Sequence, residues 1–227
     1  MEEQRIPFGS MPDGRSVEII TLRKGAFSCR VLTYGGAVQA LTVPDRAGEP
    51  VDVALGFDTL EDYRKQDKFL GALIGRYGNR IGGASFSLGG VAYPLTANDG
   101  KNHLHGGPKG FDRQLWTVET LTPDALTLSL VSPDGQEGYP GTLSVRVSYT
   151  LTERGLSIDY WARCDRDTVC NLTNHTYFNL SGHQSGPVNG QYIQIFASRY
   201  TPTVPGSIPT GELAPVDGTP MDLREGL

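Results

Sequence analysis

Short runs of alternating apolar and polar residues, separated by glycine and proline turns, restrict the fold of this sequence more than any other feature. The alternation has the two-residue period of half-buried strands, and it recurs at residues 16–22, 27–33, 37–43, 116–121, 125–131, 142–151 and 156–162. Gly89-Gly90 joins two further runs and can take the positive φ angles of a primed hairpin turn. Short strands in this number and at this spacing predict an all-β sandwich or barrel.

Helical signals are scarce, and the best of them predicts one short surface helix. Asp58 is a capping residue, and Glu61 three positions later completes the pattern of a capping box. No repeat, low-complexity tract or change of composition divides the chain. A length of 227 residues is within the range of one large all-β domain, so we expect a single domain over residues 1–227.

Charge and cysteine content argue against several classes of function. A formal net charge of −5 does not favour nucleic-acid binding, which requires a basic face to neutralise phosphates. The three cysteines, Cys29, Cys164 and Cys170, match no zinc or redox spacing and are interpreted as reduced cytosolic thiols. No apolar signal region begins the sequence, and no apolar run is long enough to span a membrane. We therefore expect a cytoplasmic protein without a nucleic-acid or membrane partner.

The segment 102–107, Asn-His-Leu-His-Gly-Gly, is the first candidate site. In an extended strand His103 and His105 would point to the same face, and the two glycines would permit close backbone approach of a ligand. Imidazoles so spaced can share a metal ion, but no third protein ligand lies nearby in the sequence. The alternative is a pair of loop histidines that make turn hydrogen bonds.

The segment 171–180, Asn-Leu-Thr-Asn-His-Thr-Tyr-Phe-Asn-Leu, is the second candidate site. Strand alternation would place Asn171, Thr173, His175 and Tyr177 on one face. So polar a face is costly to bury unless a ligand occupies it. Histidine is the side chain best suited to proton transfer near neutral pH, which makes His175 a candidate for that role. The alternative is an exposed sheet face whose polar groups satisfy one another.

The segment 75–82 is the third candidate site, and it carries two arginines with an asparagine between them. Arg76, Asn79 and Arg80 could clamp a polar ligand, although the segment lacks the pattern of a nucleotide-binding loop. Surface ion pairs of small value are the alternative for both arginines. The three segments together supply asparagine, arginine, histidine and aromatic groups, with no serine or cysteine nucleophile motif. Such a set suits a neutral polyol of the size of a sugar.

Seven motifs, in their order along the chain, resemble those of aldose 1-epimerases and span nearly the whole sequence. They lie at 75–81, 102–107, 110–112 with Trp116, 132–141, 174–180, 208–212 and 222–224. The resemblance implies the galactose-mutarotase-like antiparallel β-supersandwich. It also implies the cofactor-free interconversion of the α and β anomers of free aldohexoses such as galactose and glucose. That reaction needs an acid at the ring oxygen and a base at the anomeric hydroxyl.

The resemblance further implies roles for individual residues. His175 would be the acid at the ring oxygen, and His105 would hydrogen-bond the same region. Arg80 and Asn79 would bind sugar hydroxyls, and no metal would take part. In the family, the base glutamate and a sugar-binding aspartate lie beyond the position that matches Leu227. We therefore expect a fold that lacks its C-terminal third, with unpaired sheet edges, bare apolar surface and little or no mutarotase activity.

Two other functions stay open at this point. A non-catalytic carbohydrate-binding or interaction protein could be built on the same fold. An epimerase of phosphorylated hexoses belongs to the same superfamily, although the motif at 102–107 is that of the enzymes acting on free sugars. The sequence does not specify the preferred aldose or the oligomeric state.

Overall fold

The computed structural model describes residues 4–227, which form antiparallel strands joined by loops. The one α-helix of this range, α1, covers Leu60–Lys65, and single 3₁₀ turns lie at Gly82–Ala84, Phe111–Arg113 and Gln136–Gly138. The strands, numbered in chain order, are β1 (Arg5–Ser10), β2 (Ser16–Lys24), β3 (Phe27–Leu32), β4 (Val38–Pro44), β5 (Pro50–Asp52), β6 (Leu73–Ile74), β7 (Arg80–Ile81), β8 (Ser85–Leu88), β9 (Val91–Pro94), β10 (His103–Leu104), β11 (Thr117–Leu121), β12 (Ala125–Ser132), β13 (Leu143–Thr152), β14 (Gly155–Cys164), β15 (Thr173–Asn174), β16 (Arg199–Tyr200), β17 (Thr203–Val204), β18 (Ile208–Pro209) and β19 (Ala214–Pro215).

Two meandering sheets form the body of the fold. Strands β1 to β5 make a five-stranded sheet in chain order, and β11 to β14 make a four-stranded sheet in chain order. Alternation dictates which face each strand buries. In β13 the odd-numbered residues 143–151 are buried, while the even-numbered ones are partly or fully exposed. Hairpin connections of this kind need only short turns, as the spacing of glycines and prolines predicts.

The buried faces of the two sheets pack against each other and form one apolar core. Ile20 and Val31 of the first sheet belong to the same cluster as Leu128 and Val147 of the second. Full burial of each such side chain contributes about 1.5–3 kcal/mol. A buried tyrosine hydroxyl adds a polar tie, because Tyr149 Oη of β13 donates to a main-chain carbonyl in the β3–β4 loop. The predicted all-β sandwich is therefore confirmed.

The sequence predicts the β8–β9 turn correctly, whereas its prediction of the cap of helix α1 is wrong by one residue. Strands β8 and β9 form the predicted hairpin, with φ angles of 58° at Gly89 and 80° at Gly90. The sequence pattern predicts Asp58 as the helix cap, but the cap is Thr59, whose hydroxyl accepts from the Asp62 amide at 3.2 Å. Both residues are good caps with an acid three positions later, so the pattern alone does not distinguish them.

The region 177–227 differs from the two sheets, because its strands are two residues long and many of its apolar side chains are exposed. Phe196 is 88% exposed and Leu180 is 72% exposed. Within residues 4–227 the ten-residue strand β14 pairs only with β13, so its outer edge is open. The open edge of β14 and the exposed apolar side chains agree with the unpaired sheet edges and bare apolar surface expected from the sequence. No helix in the described range has the length and apolar character needed to cross a membrane.

Candidate active site

Two short ladders bring the three polar segments together. Strand β7 pairs with β10, which joins the segment 75–82 to the segment 102–107. Strand β6 pairs with β15, which joins the chain before residue 75 to the segment 171–180. The main-chain amide of Gly78 also donates to the Asn171 carbonyl at 2.8 Å. The convergence therefore depends on pairings between residues up to about a hundred positions apart.

His105 and His175 face each other across this convergence. Their ring centroids lie 5.2 Å apart, and the ring planes are inclined at 85°. Both side chains are half-buried. The imidazoles predicted to act on one substrate are therefore neighbours, although 70 residues separate them in sequence. An edge-to-face pair leaves room for the two rings to address different atoms of a ligand.

His105 follows strand β10 and has a left-handed backbone conformation. Asn79, its hydrogen-bond partner, has the same conformation. The φ angles are 53° at His105 and 64° at Asn79. The His105 amide donates to the Asn79 carbonyl at 3.0 Å, and the Asn79 amide donates to His105 Nδ1 at 2.9 Å. Two hydrogen bonds thus fix both the backbone and the ring of His105. Asparagine tolerates the left-handed region better than most residues, which suits it to position 79.

Burial keeps the His105 ring neutral. Desolvation, followed by the nearby His175 and Arg80, lowers the pKa of His105 to about 4, and Asp99 offsets this only in part. At neutral pH the ring therefore carries a single proton. A neutral imidazole has one donor nitrogen and one acceptor nitrogen, so the hydrogen bond at Nδ1 bears directly on what the other nitrogen can do.

His175 is held through its main chain rather than through its ring. Its amide donates to the Ala72 carbonyl at 2.8 Å, and its carbonyl accepts from the Gly71 amide at 3.1 Å. Within residues 4–227 the structure gives the His175 ring nitrogens no hydrogen-bond partner. The Tyr177 ring lies 5.1 Å away, in agreement with the prediction that these two side chains share a face.

Phe69 is a member of the site that the sequence did not indicate. Its ring lies 4.7 Å from that of His105 and 5.7 Å from that of His175, measured between centroids. Its φ angle of 58° is unusual for a bulky side chain. Such strain persists only where the surrounding structure imposes it, and it often marks a functional site. The turn at 69–72 is tied to the His175 backbone, which explains how Phe69 reaches both imidazoles.

Arg80 and Asn79 stand beside the histidine pair. Arg80 Nε is 2.7 Å from Asp99 Oδ2, and Arg80 Nη1 donates to Asn79 Oδ1 at 3.3 Å. Arg80 therefore makes the ion pair considered as its alternative, with a half-buried carboxylate. Asn79 is exposed. These contacts orient a guanidinium and an amide at the edge of the site.

Arg76 is neither a ligand clamp nor a surface ion pair. It is 2% exposed, and its guanidinium donates to Ser132 Oγ and to the carbonyls of Ser132, Pro133 and Pro140 at 2.7–3.1 Å. Burial lowers its pKa. Of the two arginines in the segment 75–82, Arg76 thus lies in the interior and Arg80 lies at the site.

The prediction that His103 and His105 share a face is wrong. His103 is fully buried, with Nδ1 2.6 Å from the Thr96 carbonyl and Nε2 2.8 Å from Tyr139 Oη. The strand ends at Leu104, and the left-handed turn at His105 directs the second ring elsewhere. No group of three or more potential metal ligands occurs in the part of the chain that the structure describes.

Gly106, directly after His105, lets two segments of the protein approach closely. A Cβ atom on Gly106 would lie 1.7 Å from the Gly75 carbonyl oxygen, so only glycine lets these two segments meet. Gly106 also has a φ angle of 85°, which favours glycine. The expected close approach is real, but the group that approaches is the backbone of the neighbouring segment.

Solved structures with the same architecture define the class of protein. The C. elegans homologue described as GalM/aldose epimerase has a TM-score of 0.84 at 30% identity, covering 92% of this chain and 64% of that one. Galactose 1-epimerase from Lactobacillus acidophilus NCFM has a TM-score of 0.83 at 29% identity, covering 98% and 65%. The fold is the galactose-mutarotase-like β-sandwich that the resemblance implied.

Sequence comparisons identify the family. The profile described as Aldose 1-epimerase matches residues 18–227. Galactose mutarotase of Homo sapiens is 44% identical over 222 residues, which are 97% of this chain and 65% of that protein. Aldose 1-epimerase of Escherichia coli (strain K12) is 38% identical over 215 residues, which are 94% and 62%. The chain belongs to the aldose 1-epimerase family. It spans about 65% of the length of the mammalian relatives that it matches.

Proposed function

We propose that this chain carries the sugar-binding groups and the acid of an aldose 1-epimerase, which interconverts the α and β anomers of free aldohexoses. The observation that carries the proposal is the facing pair of imidazoles, 5.2 Å apart, beside Arg80 and Asn79. The named relatives are galactose mutarotases and aldose 1-epimerases, which supports galactose as a substrate, and glucose is proposed from the family resemblance.

The proposed mechanism divides the reaction between the two histidines. His175, whose ring makes no hydrogen bond within the described range, donates a proton to the ring oxygen as the C1–O5 bond breaks. His105 hydrogen-bonds the same region, and Arg80 and Asn79 bind hydroxyls. A base removes the proton of the anomeric hydroxyl, the C1–C2 bond rotates, and reclosure returns the other anomer.

The described residues supply no evident base for this scheme. Asp99 is the acidic group whose charge raises the pKa of His105, and it already forms an ion pair with Arg80 at 2.7 Å. Loss of a positioned acid or base typically costs about 10²–10⁴-fold in rate. The 227-residue chain by itself is therefore expected to have little or no mutarotase activity.

Polarimetry of freshly dissolved α-D-galactose, with calorimetry of galactose binding in parallel, tests the proposal. We expect saturable binding with a rate of anomer exchange close to the uncatalysed one. Exchange as fast as that of an intact mutarotase assayed alongside would show that another group serves as base. Galactose 6-phosphate bound more tightly than galactose would favour the phosphorylated-sugar branch instead.

A cytoplasmic location is part of the same proposal. It is supported by the free thiols of Cys29, Cys164 and Cys170, which a reducing compartment would preserve. Fractionation of cells producing the chain should recover it with cytosolic markers. Recovery with an oxidised, disulfide-containing form in an extracytoplasmic fraction would contradict it.

A further inference from the structure

His103 and His105 use their ring nitrogens in opposite ways. At His103 the Nδ1 atom faces the Thr96 carbonyl, which can only accept, so Nδ1 carries the proton there. At His105 the Nδ1 atom faces the main-chain amide of Asn79, which can only donate. The two rings are therefore placed in different tautomeric environments although they lie two residues apart.

We propose that Asn79 is a positioning residue whose main-chain amide holds His105 in the Nε2–H tautomer, so that His105 presents a fixed hydrogen-bond donor to the ligand. The Asn79 amide occupies the lone pair of Nδ1 at 2.9 Å, which leaves the proton of the neutral ring on Nε2. This assignment rests on the proposed function only for the identity of the ligand, a sugar oxygen.

The geometry around Asn79 keeps its amide in place. Asn79 and His105, both with left-handed backbones, are joined by two hydrogen bonds directly beside the Arg80–Leu104 pair of the β7–β10 ladder: Asn79 amide to His105 Nδ1 at 2.9 Å, and His105 amide to Asn79 carbonyl at 3.0 Å. The Asn79 side chain makes a separate contact, accepting from Arg80. The residue thus has two functions that a variant can separate, one of the main chain and one of the amide group.

The tautomer of His105 gives the two site histidines different roles. A ring whose Nδ1 is occupied and whose Nε2 carries the proton can stabilise negative charge on a sugar oxygen by donation, but it cannot accept a proton from the sugar at Nε2. The His175 ring has no such restraint within residues 4–227 and can exchange a proton. Proton transfer therefore belongs to His175, and donation belongs to His105.

Nuclear magnetic resonance of the chain with ¹⁵N-labelled histidine rings tests the tautomer without any sugar or activity. At neutral pH we expect His105 to show a protonated Nε2 and an unprotonated Nδ1, while His103 shows the reverse pattern. A scalar coupling across the hydrogen bond should join the Asn79 amide nitrogen to His105 Nδ1. A protonated Nδ1 on His105, or a rapidly exchanging mixture of tautomers, would overturn the proposal.

Two variants separate the main chain from the side chain. Asn79→Gly keeps the amide and favours the left-handed backbone, so the tautomer and the coupling should persist. Replacing the Asn79 main-chain N–H by an ester oxygen removes the donor and, unlike a proline, leaves the positive φ angle accessible, so His105 should populate both tautomers, with the His103 pattern as a check of folding. A His105 tautomer lost in the glycine variant would assign the effect to the side chain and overturn the proposal. If the wild-type chain failed to bind galactose while its His105 tautomer was as expected, that would contradict the proposed function alone.

Discussion

The two histidines of the segment 102–107 show how one stretch of chain serves both the interior and the site. His103 is fully buried and both of its ring nitrogens are bonded to the protein. His105 is half-buried, turns away through a left-handed backbone and faces His175. A single change of backbone conformation after Leu104 therefore converts a strand residue into a site residue.

Arg76 and Arg80 repeat the same division in the segment 75–82. Arg76 donates to three main-chain carbonyls and one hydroxyl in the interior, whereas Arg80 pairs with Asp99 at the edge of the site. We call Arg76, His103 and Tyr139 the inner layer, and Asn79, Arg80, His105 and His175 the outer layer. The difference between the layers shows that one residue of a motif can support folding while another serves ligand binding. Variants of the inner layer should therefore affect stability, and variants of the outer layer should affect ligand binding.

The largest effect on stability is expected at Arg76. Arg76→Met removes the guanidinium that donates to three carbonyls and to the Ser132 hydroxyl, and should lower the free energy of unfolding by about 2–4 kcal/mol. Arg80→Met, the matched change in the outer layer, should cost about 1 kcal/mol or less. Urea denaturation at pH 7 measures both. Equal losses would abolish the distinction between the layers.

A pH-dependent effect of intermediate size is expected from His105. Its pKa, lowered to about 4 from 6.5, means that the unfolded chain binds more protons between these values. Stability should therefore rise as pH increases from 4 to 6.5, with a contribution of about 1–3 kcal/mol from this residue. Asp112, whose burial raises its pKa to about 6, acts in the opposite direction over much of the same range.

The comparison of wild type with His105→Gln isolates the contribution of the histidine. Denaturation curves at several pH values should show a shallower rise in the variant, because only the His105 term is removed. The same pH dependence in both proteins would mean that His105 titrates normally in the folded state, and so is not desolvated as its surroundings indicate.

A smaller effect is expected at Tyr139. Tyr139→Phe removes the hydroxyl that donates to buried His103 Nε2 and should cost about 1–2 kcal/mol. Tyr177→Phe is the control in the site, where the residue is 40% exposed and the change should stay within about 0.5 kcal/mol. Thermal unfolding ranks the two, and a larger loss at Tyr177 would contradict the inner role of Tyr139.

The smallest change in stability is expected at His175. His175→Ala should alter the free energy of unfolding by no more than about 0.5–1 kcal/mol, because the protein holds this residue through its main chain. Galactose binding measured by calorimetry should nevertheless be lost. His183→Ala is the control, since His183 lies beside Asp52 of the first sheet and is not among the rings that contact His105 or His175 in the described range.

The sequence predicted what local patterns determine. The strands follow from alternation, the β8–β9 turn follows from Gly89-Gly90, and the three polar segments noted in the sequence converge in the structure. The roles within those segments depend on backbone angles and distant pairings that alternation does not encode. His105 leaves its strand through a positive φ angle, and Phe69 reaches the imidazoles only because its turn is tied to the His175 backbone. The glycine at 106 permits close approach of the Gly75 backbone, which the sequence pattern does not indicate.

The central claim is that His105 and His175 form one sugar-binding site, and titration of the ¹⁵N-histidine-labelled chain with D-galactose tests it most directly. The ring signals of His105 and His175 should shift together and saturate at the same galactose concentration, while that of His183 stays unchanged. Absence of any saturable shift at His105 and His175, or equal shifts at His183, would contradict the account.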